Sequence, residues 1–284
     1  MKLFGTFPEN YELIDAGGGR KLERWGEIIT IRPEHQAYFK PGLSDADWKR
    51  MAHWVFQPTK EGSLNGTWKS LKENSPKKWQ VRMGEAVFNL EITSNKHIGL
   101  FPEQHINWEF ISSFLNPEKR FLNAFAYTGA ASIYGKLTGA EVLHCDSIRG
   151  MLDWGRLNME SSNVFEIKWV LEDALKFIQR EQKRGNTFDL IQMDPPAWGL
   201  GAKGEKWKLE ELIAPLIEAC LNCINPKGVL ILNTYSPKLD VAKTTQILAQ
   251  FKSSIHSSEC NELWLTSTTD KHLFYGVLTR LVKS

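Results

Sequence analysis

Hydrophobic and polar positions follow two different patterns along the chain, and the change falls at residues 93–102. Beyond that segment, short apolar runs typical of buried strands alternate with stretches of helical periodicity. The predicted strands are Arg120–Phe125, Glu141–Cys145, Lys168–Leu171, Phe188–Met193, Gly228–Thr234, Glu259–Leu265 and Leu273–Leu281. The predicted helices are Pro102–Leu115, Ala130–Leu137, Arg149–Glu160, Ala174–Gln182, Leu209–Leu221 and Val241–Phe251. This alternation predicts an α/β domain over residues 96–284, with a doubly wound, mostly parallel seven-stranded sheet whose last two strands pair antiparallel.

Residues 1–95 instead show short strands separated by turn signals. The predicted hairpins join Tyr11–Ile14 to Lys21–Trp25 and Trp79–Arg82 to Ala86–Ile92. Glycines lie between the strands of each pair, as hairpin turns require. Between the hairpins, Ser44–Phe56 is predicted as a short helix with Ser44 as its N-cap. We therefore expect a small β-rich N-terminal domain that is a candidate for substrate recognition.

Composition limits the class of protein. The 284 residues are 42% hydrophobic, which is enough for one large core and a smaller one. No run of 18 or more apolar residues occurs, so neither a membrane span nor a membrane partner is expected, and the N-terminus lacks the apolar core of a signal peptide. Four cysteines do not make a disulfide framework in so long a chain, which fits a reducing cytoplasm. The formal net charge of +2 implies that any phosphate-binding surface is local.

The segment Asp194-Pro195-Pro196-Ala197-Trp198 follows the predicted buried strand Phe188–Met193. Two prolines end that strand, because neither can donate a ladder hydrogen bond. They leave a carboxylate, a rigid turn and an indole at the carboxyl edge of the sheet, where open α/β folds bind ligands. Asp194 and a proline carbonyl can accept from a planar N–H donor, and Trp198 can stack on a flat base. The segment favours methyl transfer to a nucleobase or another planar nitrogen substrate; a rigid loop with one surface aromatic is the alternative.

The first strand–turn–helix of the α/β part is Asn123–Ser132, whose small residues allow a ligand to approach the helix N-terminus. Only Gly129 stands where the G-x-G-x-x-G pattern needs three glycines, so NAD binding is disfavoured. Asp146 ends the next strand and could accept both hydroxyls of a ribose, or it could cap the following helix. Asp173, after the third strand, could accept from an adenine amino group or act as a cap. With Asp194, these residues fall at successive strand ends and together indicate an adenosine-bearing ligand beside a reaction centre.

These segments resemble the class I S-adenosylmethionine-dependent methyltransferases, and more closely the bacterial 23S rRNA methyltransferases of the cytosine-5 type and their guanine-N7 relatives. The resemblance covers about residues 95–282 and rests on Lys96–Gln104, Asn123–Ala130, Asp146, Asp173 and Asp194–Trp198. It implies a Rossmann-like methyltransferase fold and S-adenosyl-L-methionine as the cofactor. It also implies RNA, in the first place rRNA, as the partner, with no metal; the sequence gives no oligomeric state.

The resemblance assigns roles to individual residues. The expected cofactor-binding residues are Phe101, Gln104, Phe125, Tyr127, Thr128, Gly129, Asp146, Ser147, Asp173, Ala174 and Asp194. The segment around Gln104 would close over the methionine end of the cofactor. The expected catalytic residues are Asp194, Pro195, Pro196 and Trp198. Asp194 would orient and deprotonate the acceptor nitrogen, the Pro195 carbonyl would fix the N–H donor, and Trp198 would hold the plane of the base.

One departure concerns the chemistry of the acceptor. Enzymes that methylate cytosine C5 use a cysteine thiolate, because C5 is a poor nucleophile. The resembling family carries that cysteine after the fifth strand, where this chain reads Asn233–Lys238 without a thiol. The four cysteines lie in predicted strands or on a predicted helix, so none is a credible nucleophile. They are Cys145, Cys220, Cys223 and Cys260. Transfer to a nitrogen is therefore favoured.

Two segments are candidates for contact with the substrate. A local excess of positive charge is interleaved with aromatic residues at Lys60, Trp68, Lys69, Lys72, Lys77, Lys78, Trp79 and Arg82. Such a surface can grip phosphates and stack on unpaired bases, although a solvated face is the more frequent meaning. Residues 199–208, which include Lys203, Lys206 and Trp207, are predicted to form a mobile lid, with an ordinary surface loop as the alternative.

Three functions are consistent with the sequence. A methyltransferase acting on a base of RNA comes first. The others are a methyltransferase acting on a protein or a small molecule, and a non-catalytic RNA-binding assembly factor. The N-terminal residues do not match the RNA-binding module usual in the resembling family.

Overall fold

The computed structural model describes residues 1–200 and 206–284, with the side chain of Leu200 excepted. This part of the chain contains seven α-helices and seventeen β-strands. The strands are β1 Lys2–Phe4, β2 Tyr11–Gly17, β3 Arg20–Trp25, β4 Ile28–Pro33, β5 Trp54–Pro58, β6 Gly66–Ser70, β7 Lys78–Met83, β8 Ala86–Glu91, β9 Arg120–Ala124, β10 Glu141–Asp146, β11 Ile167–Leu171, β12 Phe188–Met193, β13 Trp198–Leu200, β14 Lys206–Lys208, β15 Ile224–Thr234, β16 Ile255–Thr266 and β17 His272–Lys283. The helices are α1 Asp45–Met51, α2 His105–Phe114, α3 Ala130–Leu137, α4 Arg149–Ser161, α5 Ala174–Lys183, α6 Leu209–Cys223 and α7 Val241–Leu248, with 3-10 turns at Pro102–Gln104 and Ala249–Ser254. None of these helices is both long and apolar enough to cross a membrane.

The elements form two units. Unit 1 consists of Met1–Leu3, Asn107–Leu263 and Tyr275–Ser284, and unit 2 of Phe4–Ile106 and Trp264–Phe274. The division between the N-terminal β-rich part and the α/β part therefore follows Ile106, whereas it was expected after residue 95 from the sequence. The tip of the last hairpin, Trp264–Phe274, also belongs to unit 2 rather than to unit 1.

Unit 1 is built on a sheet of the order β1-β16-β17-β15-β12-β9-β10-β11. Strands β15, β12, β9, β10 and β11 pair in parallel, and β17 pairs antiparallel with β15. The predicted α/β class with a mostly parallel sheet is confirmed. The sheet has eight strands rather than the expected seven, because the short N-terminal strand β1 adds to its edge. The direction of the strand order reverses between β9 and β12, which is where ligands bind in such sheets.

The two faces of this sheet differ in polarity. On one face, Leu122, Cys145, Met193 and Leu232 belong to an apolar core that also contains residues of α5, α6 and α7. On alternate positions the central strands carry buried polar residues, Asn123, His144, Gln192 and Asn233. Parallel sheets usually bury apolar residues on both faces, so this polar row needs an explanation.

Unit 2 contains the five-stranded sheet β2-β3-β4-β5-β6 and the separate hairpin β7-β8. The two expected hairpins are present, but the predicted helix Ser44–Phe56 is too long. Helix α1 begins after Ser44, whose Oγ accepts from the Asp47 N–H at 3.1 Å, and it ends at Met51. Strand β5 starts at Trp54 and pairs in parallel with β4, so long-range pairing overrides local helical propensity there.

A buried carboxylate joins the hairpin tip to the rest of unit 2. Asp15 accepts from the N–H groups of Gly42 and Leu43 at 3.0 and 2.7 Å, from Trp48 Nε1 at 2.8 Å and from Thr269 Oγ1 at 2.5 Å. Burial acts to raise the pKa of Asp15, but these hydrogen bonds outweigh it and lower the pKa. The contacts of Asp15 account for the position of the tip in unit 2.

Candidate functional site

The carboxyl ends of β9, β10, β11 and β12 meet at one edge of the sheet in unit 1. Cys145 and Met193 both pair with Ala124. The residues that follow these three, Asp146, Asp194 and Phe125, therefore come at one level across three neighbouring strands. The structure thus brings two of the predicted acidic residues to either side of the first turn.

The turn after β9 has an unusual backbone. Phe125 and Tyr127 have φ angles of 55° and 52°, and Gly129 has φ of 87°. Left-handed backbone is uncommon for aromatic residues and, when observed, marks candidate functional sites. At position 129 this left-handed backbone explains why the residue is a glycine. The Asn158 side chain supports the turn by donating to the Thr128 carbonyl at 3.0 Å.

Asp146 organises the loop beside that turn. Its Oδ2 accepts from the Tyr127 N–H at 2.9 Å and its Oδ1 from the Ile148 N–H at 2.9 Å. Burial raises the pKa of Asp146, while backbone hydrogen bonds oppose the shift. The N-cap of α4 is Ile148, so Asp146 is not the cap of that helix. Since each carboxylate oxygen has a second lone pair, Asp146 keeps the capacity to accept from two neighbouring hydroxyls.

Asp173 is the N-cap of α5, as the alternative prediction had it. Its Oδ1 accepts from the Lys176 N–H at 2.9 Å, and one oxygen remains for another donor. Ala174 is the buried first residue of that helix, and Ser147 is exposed in the loop after Asp146. Asp173 lies two residues beyond Leu171, the register partner of Asp146.

Two exposed apolar residues at this edge were missed by the sequence analysis. Ile148 is 58% exposed and Leu171 is 42% exposed, although residues of this size are usually buried. They stand at the ends of neighbouring strands, beside Asp146. Flat heterocycles bind between such apolar side chains. Their exposure depends on what surrounds them in the fold, so the sequence carries no local signal for it.

A buried polar network lies beneath the turn. Asn123 Nδ2 donates to Ser132 Oγ at 2.9 Å, and Ser132 Oγ is 3.0 Å from His144 Nδ1. Burial lowers the pKa of His144 to about 3, so its imidazole is neutral at physiological pH. The Trp169 ring packs against it, with centroids 4.4 Å apart. These residues fix α3 and β10 to β9, and thereby the strained turn between them.

The segment that begins with Asp194 follows β12 without regular structure. Asp194 is half-buried, Pro195 is buried and Pro196 is exposed. Trp198 is 64% exposed. An indole with this exposure is open to stacking, and the expected role of Trp198 in holding a base stays a prediction.

A short hairpin follows this segment. Strands β13 and β14 pair antiparallel, with Trp198 opposite Lys208. Trp207 Nε1 donates to the Pro196 carbonyl at 2.6 Å, and the Trp207 ring lies 5.2 Å from that of Phe125. The Trp207 indole is thus half-buried and tied to the Pro196 carbonyl, and its expected contact with the substrate stays a prediction. Lys206 is exposed, whereas Lys203 and the central part of the predicted lid lie outside the described residues.

The other predicted site residues belong to unit 2. Phe101 is half-buried and packs against His97, with ring centroids 4.9 Å apart, and Gln104 is buried in a 3-10 turn. Trp68 is half-buried and donates from Nε1 to the Asn95 carbonyl at 3.0 Å. Lys77 is exposed, and Lys78 pairs with Glu91 at 3.1 Å. Roles of these residues in binding stay predictions.

The cysteines are unsuited to covalent catalysis. Burial raises the pKa of the Cys145 and Cys220 thiols far above the usual range, and that of Cys223 to about 11. Cys260 lies on β16 with its Sγ 3.8 Å from the Val241 carbonyl. Among the described residues, no group of three or more His, Cys, Asp or Glu side chains could hold a metal ion.

No family model matches this chain. It is 27% identical to the ribosomal RNA large subunit methyltransferase I of Photobacterium profundum over 259 residues, which are 86% of this chain and 59% of that protein. It is 30% identical to the ribosomal RNA large subunit methyltransferase K/L of Syntrophotalea carbinolica over 163 residues, 56% of this chain and 22% of that protein. The chain therefore spans less than two thirds of these relatives, and the resemblance to large-subunit rRNA methyltransferases is confirmed.

Solved structures extend the comparison to the whole chain. A SAM-dependent methyltransferase from Streptococcus mutans aligns with a TM-score of 0.74 over 98% of this chain and 76% of that one, at 15% identity, which supports the fold alone. A SAM-dependent methyltransferase from Agrobacterium tumefaciens aligns with a TM-score of 0.90 and 30% identity, over 99% of this chain and 93% of that one. With this identity over nearly the full length of both proteins, the chain belongs to the S-adenosylmethionine-dependent methyltransferases.

Proposed function

We propose that this chain transfers a methyl group from S-adenosyl-L-methionine to a nitrogen of a base in ribosomal RNA. The observation that carries the proposal is the level shared by Asp146, Phe125 and Asp194 at the switch point of the sheet. This arrangement supports a binding site for the cofactor on the β10 side of the turn and a binding site for a planar acceptor on the β12 side. Both proposed binding sites belong to unit 1.

The residues on the β10 side fit the adenosine part of the cofactor. Asp146 has lone pairs left for the two ribose hydroxyls, and the exposed faces of Ile148 and Leu171 suit an adenine ring. The remaining oxygen of Asp173 can accept from the adenine amino group. The left-handed turn at residues 125–129 lets the rest of the cofactor approach the backbone.

On the β12 side, Asp194 orients the acceptor and takes its proton. The bound cofactor supplies a methyl group that sulfur releases readily. Transfer would break one carbon–sulfur bond and form one carbon–nitrogen bond, and Asp194 would take the proton that the nitrogen loses. Trp198 holds the ring of the base so that the nitrogen and the methyl group stay in line, which is the main source of acceleration in such a displacement.

The raised pKa values of the buried thiols support a nitrogen, rather than cytosine C5, as the atom that receives the methyl group. A C5 methyltransferase needs a thiolate, and the three buried thiols of this chain have raised pKa values. The segment where the resembling family has its cysteine contains Ser236, whose Oγ donates to Glu210 Oε1 at 2.5 Å. A hydrogen-bonded serine does not replace a thiolate.

Ribosomal RNA is proposed as the substrate because the curated relatives are large-subunit rRNA methyltransferases. The exposed Lys77 and the exposed Lys206 are consistent with phosphate contacts. The four free cysteines agree with work in the reducing cytoplasm.

The test uses the purified protein, S-adenosylmethionine labelled in its methyl group, and rRNA from a strain that lacks the gene. We expect label in the RNA, and none when rRNA from the wild-type strain, already methylated, is used. Label in protein or in a small-molecule fraction instead would point to the second function considered from the sequence. Binding of cofactor and RNA without transfer of label would point to an assembly factor.

A further inference from the structure

Asn233 lies beside Asp194 at the carboxyl edge of the sheet in unit 1. Leu232 pairs with Met193, so Asn233 and Asp194 follow at the same level of neighbouring parallel strands. Such strands are about 4.8 Å apart, and side chains at one level point to the same face of the sheet. Asn233 is also fully buried.

A chain of hydrogen bonds fixes which way the Asn233 amide points. Arg280 Nη2 donates to Asn107 Oδ1 at 3.1 Å, and Asn107 Nδ2 donates to Asn233 Oδ1 at 2.8 Å. A guanidinium can only donate, so it determines which atom of Asn107 accepts. The remaining amide atom of Asn107 must then be the donor to Asn233. The Asn233 Oδ1 is thus committed to Asn107, and its NH₂ group points elsewhere.

That NH₂ group has no acceptor. Within the described part of the chain, no hydrogen-bond partner lies in reach of Asn233 Nδ2, although this atom is shielded from solvent. A buried donor without a partner costs about 1–3 kcal/mol. Folded proteins rarely leave such a group unless it serves another purpose. Arg280 and Asn107 hold the Asn233 amide in this orientation, so chance does not explain the position of its NH₂ group.

We infer that Asn233 donates a hydrogen bond to the acceptor base while Asp194 accepts from the nitrogen that is methylated. This inference rests on the proposed function, since it concerns the same site. A donor next to an acceptor matches a base edge in which an N–H group adjoins a ring nitrogen or a carbonyl oxygen. Because Asn233 is fully buried, the inference requires the side chains around it to separate when the base binds.

A donor at Asn233 next to an acceptor at Asp194 discriminates among the nitrogen atoms that could receive the methyl group. Exocyclic amino groups, and ring nitrogens that carry hydrogen, offer an N–H to Asp194 and a neighbouring acceptor to Asn233. Guanine N7 carries no hydrogen, so its lone pair would face the Asp194 carboxylate. The structure therefore favours a hydrogen-bearing nitrogen over guanine N7, a cytosine carbon or a ribose hydroxyl.

The first arm of the test identifies the product. Unmethylated rRNA is incubated with the protein and S-adenosylmethionine, digested to nucleosides and analysed by mass spectrometry. We expect a base methylated on a nitrogen that carried hydrogen. A product of 7-methylguanosine would overturn the inference and leave the proposed function standing. A product of 5-methylcytidine or a 2′-O-methyl nucleoside would overturn the inference and the proposed nitrogen acceptor together, while leaving methylation of RNA itself standing. No methylated RNA at all would remove both.

The second arm uses variants of Asn233. Asn233→Leu should lower kcat by about 100-fold, the usual effect of losing one donor at a reacting group. Its affinity for S-adenosylhomocysteine should equal that of the wild type by calorimetry. Thr279→Val is the matched control, because Thr279 is also buried on a strand of this sheet but contacts Cys260 Sγ instead of the site. Wild-type kcat in a folded Asn233→Leu protein would contradict the inference.

Asn233→Asp separates a role in binding the base from a role in folding. It keeps an oxygen to accept from Asn107, and its carboxyl group can donate only when it is protonated. Its kcat, divided by that of the wild type, should therefore rise as the pH falls. A ratio that does not change with pH would contradict the inference, and this variant decides alone if Asn233→Leu does not fold.

Discussion

Trp207 Nε1 donates to the carbonyl oxygen of Pro196 at 2.6 Å, which ties the β13–β14 hairpin to the segment that holds Asp194. Trp207→Phe keeps an aromatic ring against Phe125 but removes this hydrogen bond. Its loss should cost about 1 kcal/mol and lower kcat severalfold by loosening the position of Asp194 and its prolines. Steady-state kinetics on rRNA measure the effect. Equal kcat in Trp207→Phe and wild type would show that the hairpin does not position this segment.

Asp146 is expected to contribute to cofactor affinity. Asp146→Ala removes the acceptor for the Tyr127 N–H and for the ribose hydroxyls, and should weaken binding of S-adenosylhomocysteine by about 10–100-fold. Calorimetry measures this affinity. The control is Asp153→Asn, which changes a largely exposed carboxylate on α4 that pairs with Arg156. Unchanged affinity in Asp146→Ala would contradict the assignment.

Asp194 is expected to act in transfer rather than in cofactor binding. Asp194→Ala should retain most of the affinity for S-adenosylhomocysteine and abolish methylation of rRNA, because the nitrogen loses the group that orients it and takes its proton. Label transfer under single-turnover conditions is the measurement. Full turnover in this variant would refute the mechanism.

The absence of a catalytic thiol can be tested directly. A variant in which Cys145, Cys220 and Cys223 are alanine and Cys260 is serine should methylate rRNA with a kcat close to that of the wild type. Thermal unfolding is recorded in parallel, because buried cysteines contribute to the core. A folded but inactive variant whose activity returns with one restored cysteine would favour a carbon acceptor.

Stability of unit 2 should depend on pH through Glu23. This fully buried carboxylate accepts from Arg32 Nε at 2.7 Å and lies 3.2 Å from Lys21 Nζ. Burial acts to raise the pKa of Glu23, but the charges of Arg32 and Lys21 outweigh it and lower the pKa from 4.5 to about 2. The folded pKa is below the unfolded one, so this contribution is complete above pH 4.5 and is lost as the pH falls towards 2.

The free energy of unfolding, measured between pH 7 and pH 2, should fall less steeply in Glu23→Gln than in the wild type below pH 4.5. The same variant should be less stable at neutral pH, because it removes the negative charge that faces two buried cations, Arg32 and Lys21. Glu12→Gln is the control, since the Glu12–Arg24 pair is part-exposed and contributes little. Parallel curves for Glu23→Gln and wild type would contradict the account.

Much of unit 1 is predictable from local pattern. Helix α3 and strand β12 have the predicted bounds, because an apolar run or a helical face is sufficient to define them. Strands β5 and β6 were missed in unit 2, since they depend on pairing with β4 and with each other. The end of α1 was wrong for the same reason: sequence periodicity does not reveal that Trp54 pairs with Thr30.

The candidate site, too, could be predicted from the sequence only where local pattern determines it. The strand-end carboxylates Asp146 and Asp194 could be placed from sequence, because parallel strands end at one edge. The exposure of Ile148 and the orientation of Asn233 could not, since both depend on what lies next to them in space. Trp207 was expected to contact the substrate, and only the structure reveals that the Pro196 carbonyl accepts its indole N–H.

The contact of Thr269 with Asp15 has a consequence for how this protein can be recombined with its relatives. Unit 2 is assembled from two distant pieces of sequence, so a single crossover between parental genes cannot exchange it whole. Chimeras joined once near residue 95 or residue 106 would bring together an aspartate and a threonine of different ancestry. Only a double exchange, which also replaces residues 264–274, would preserve the match.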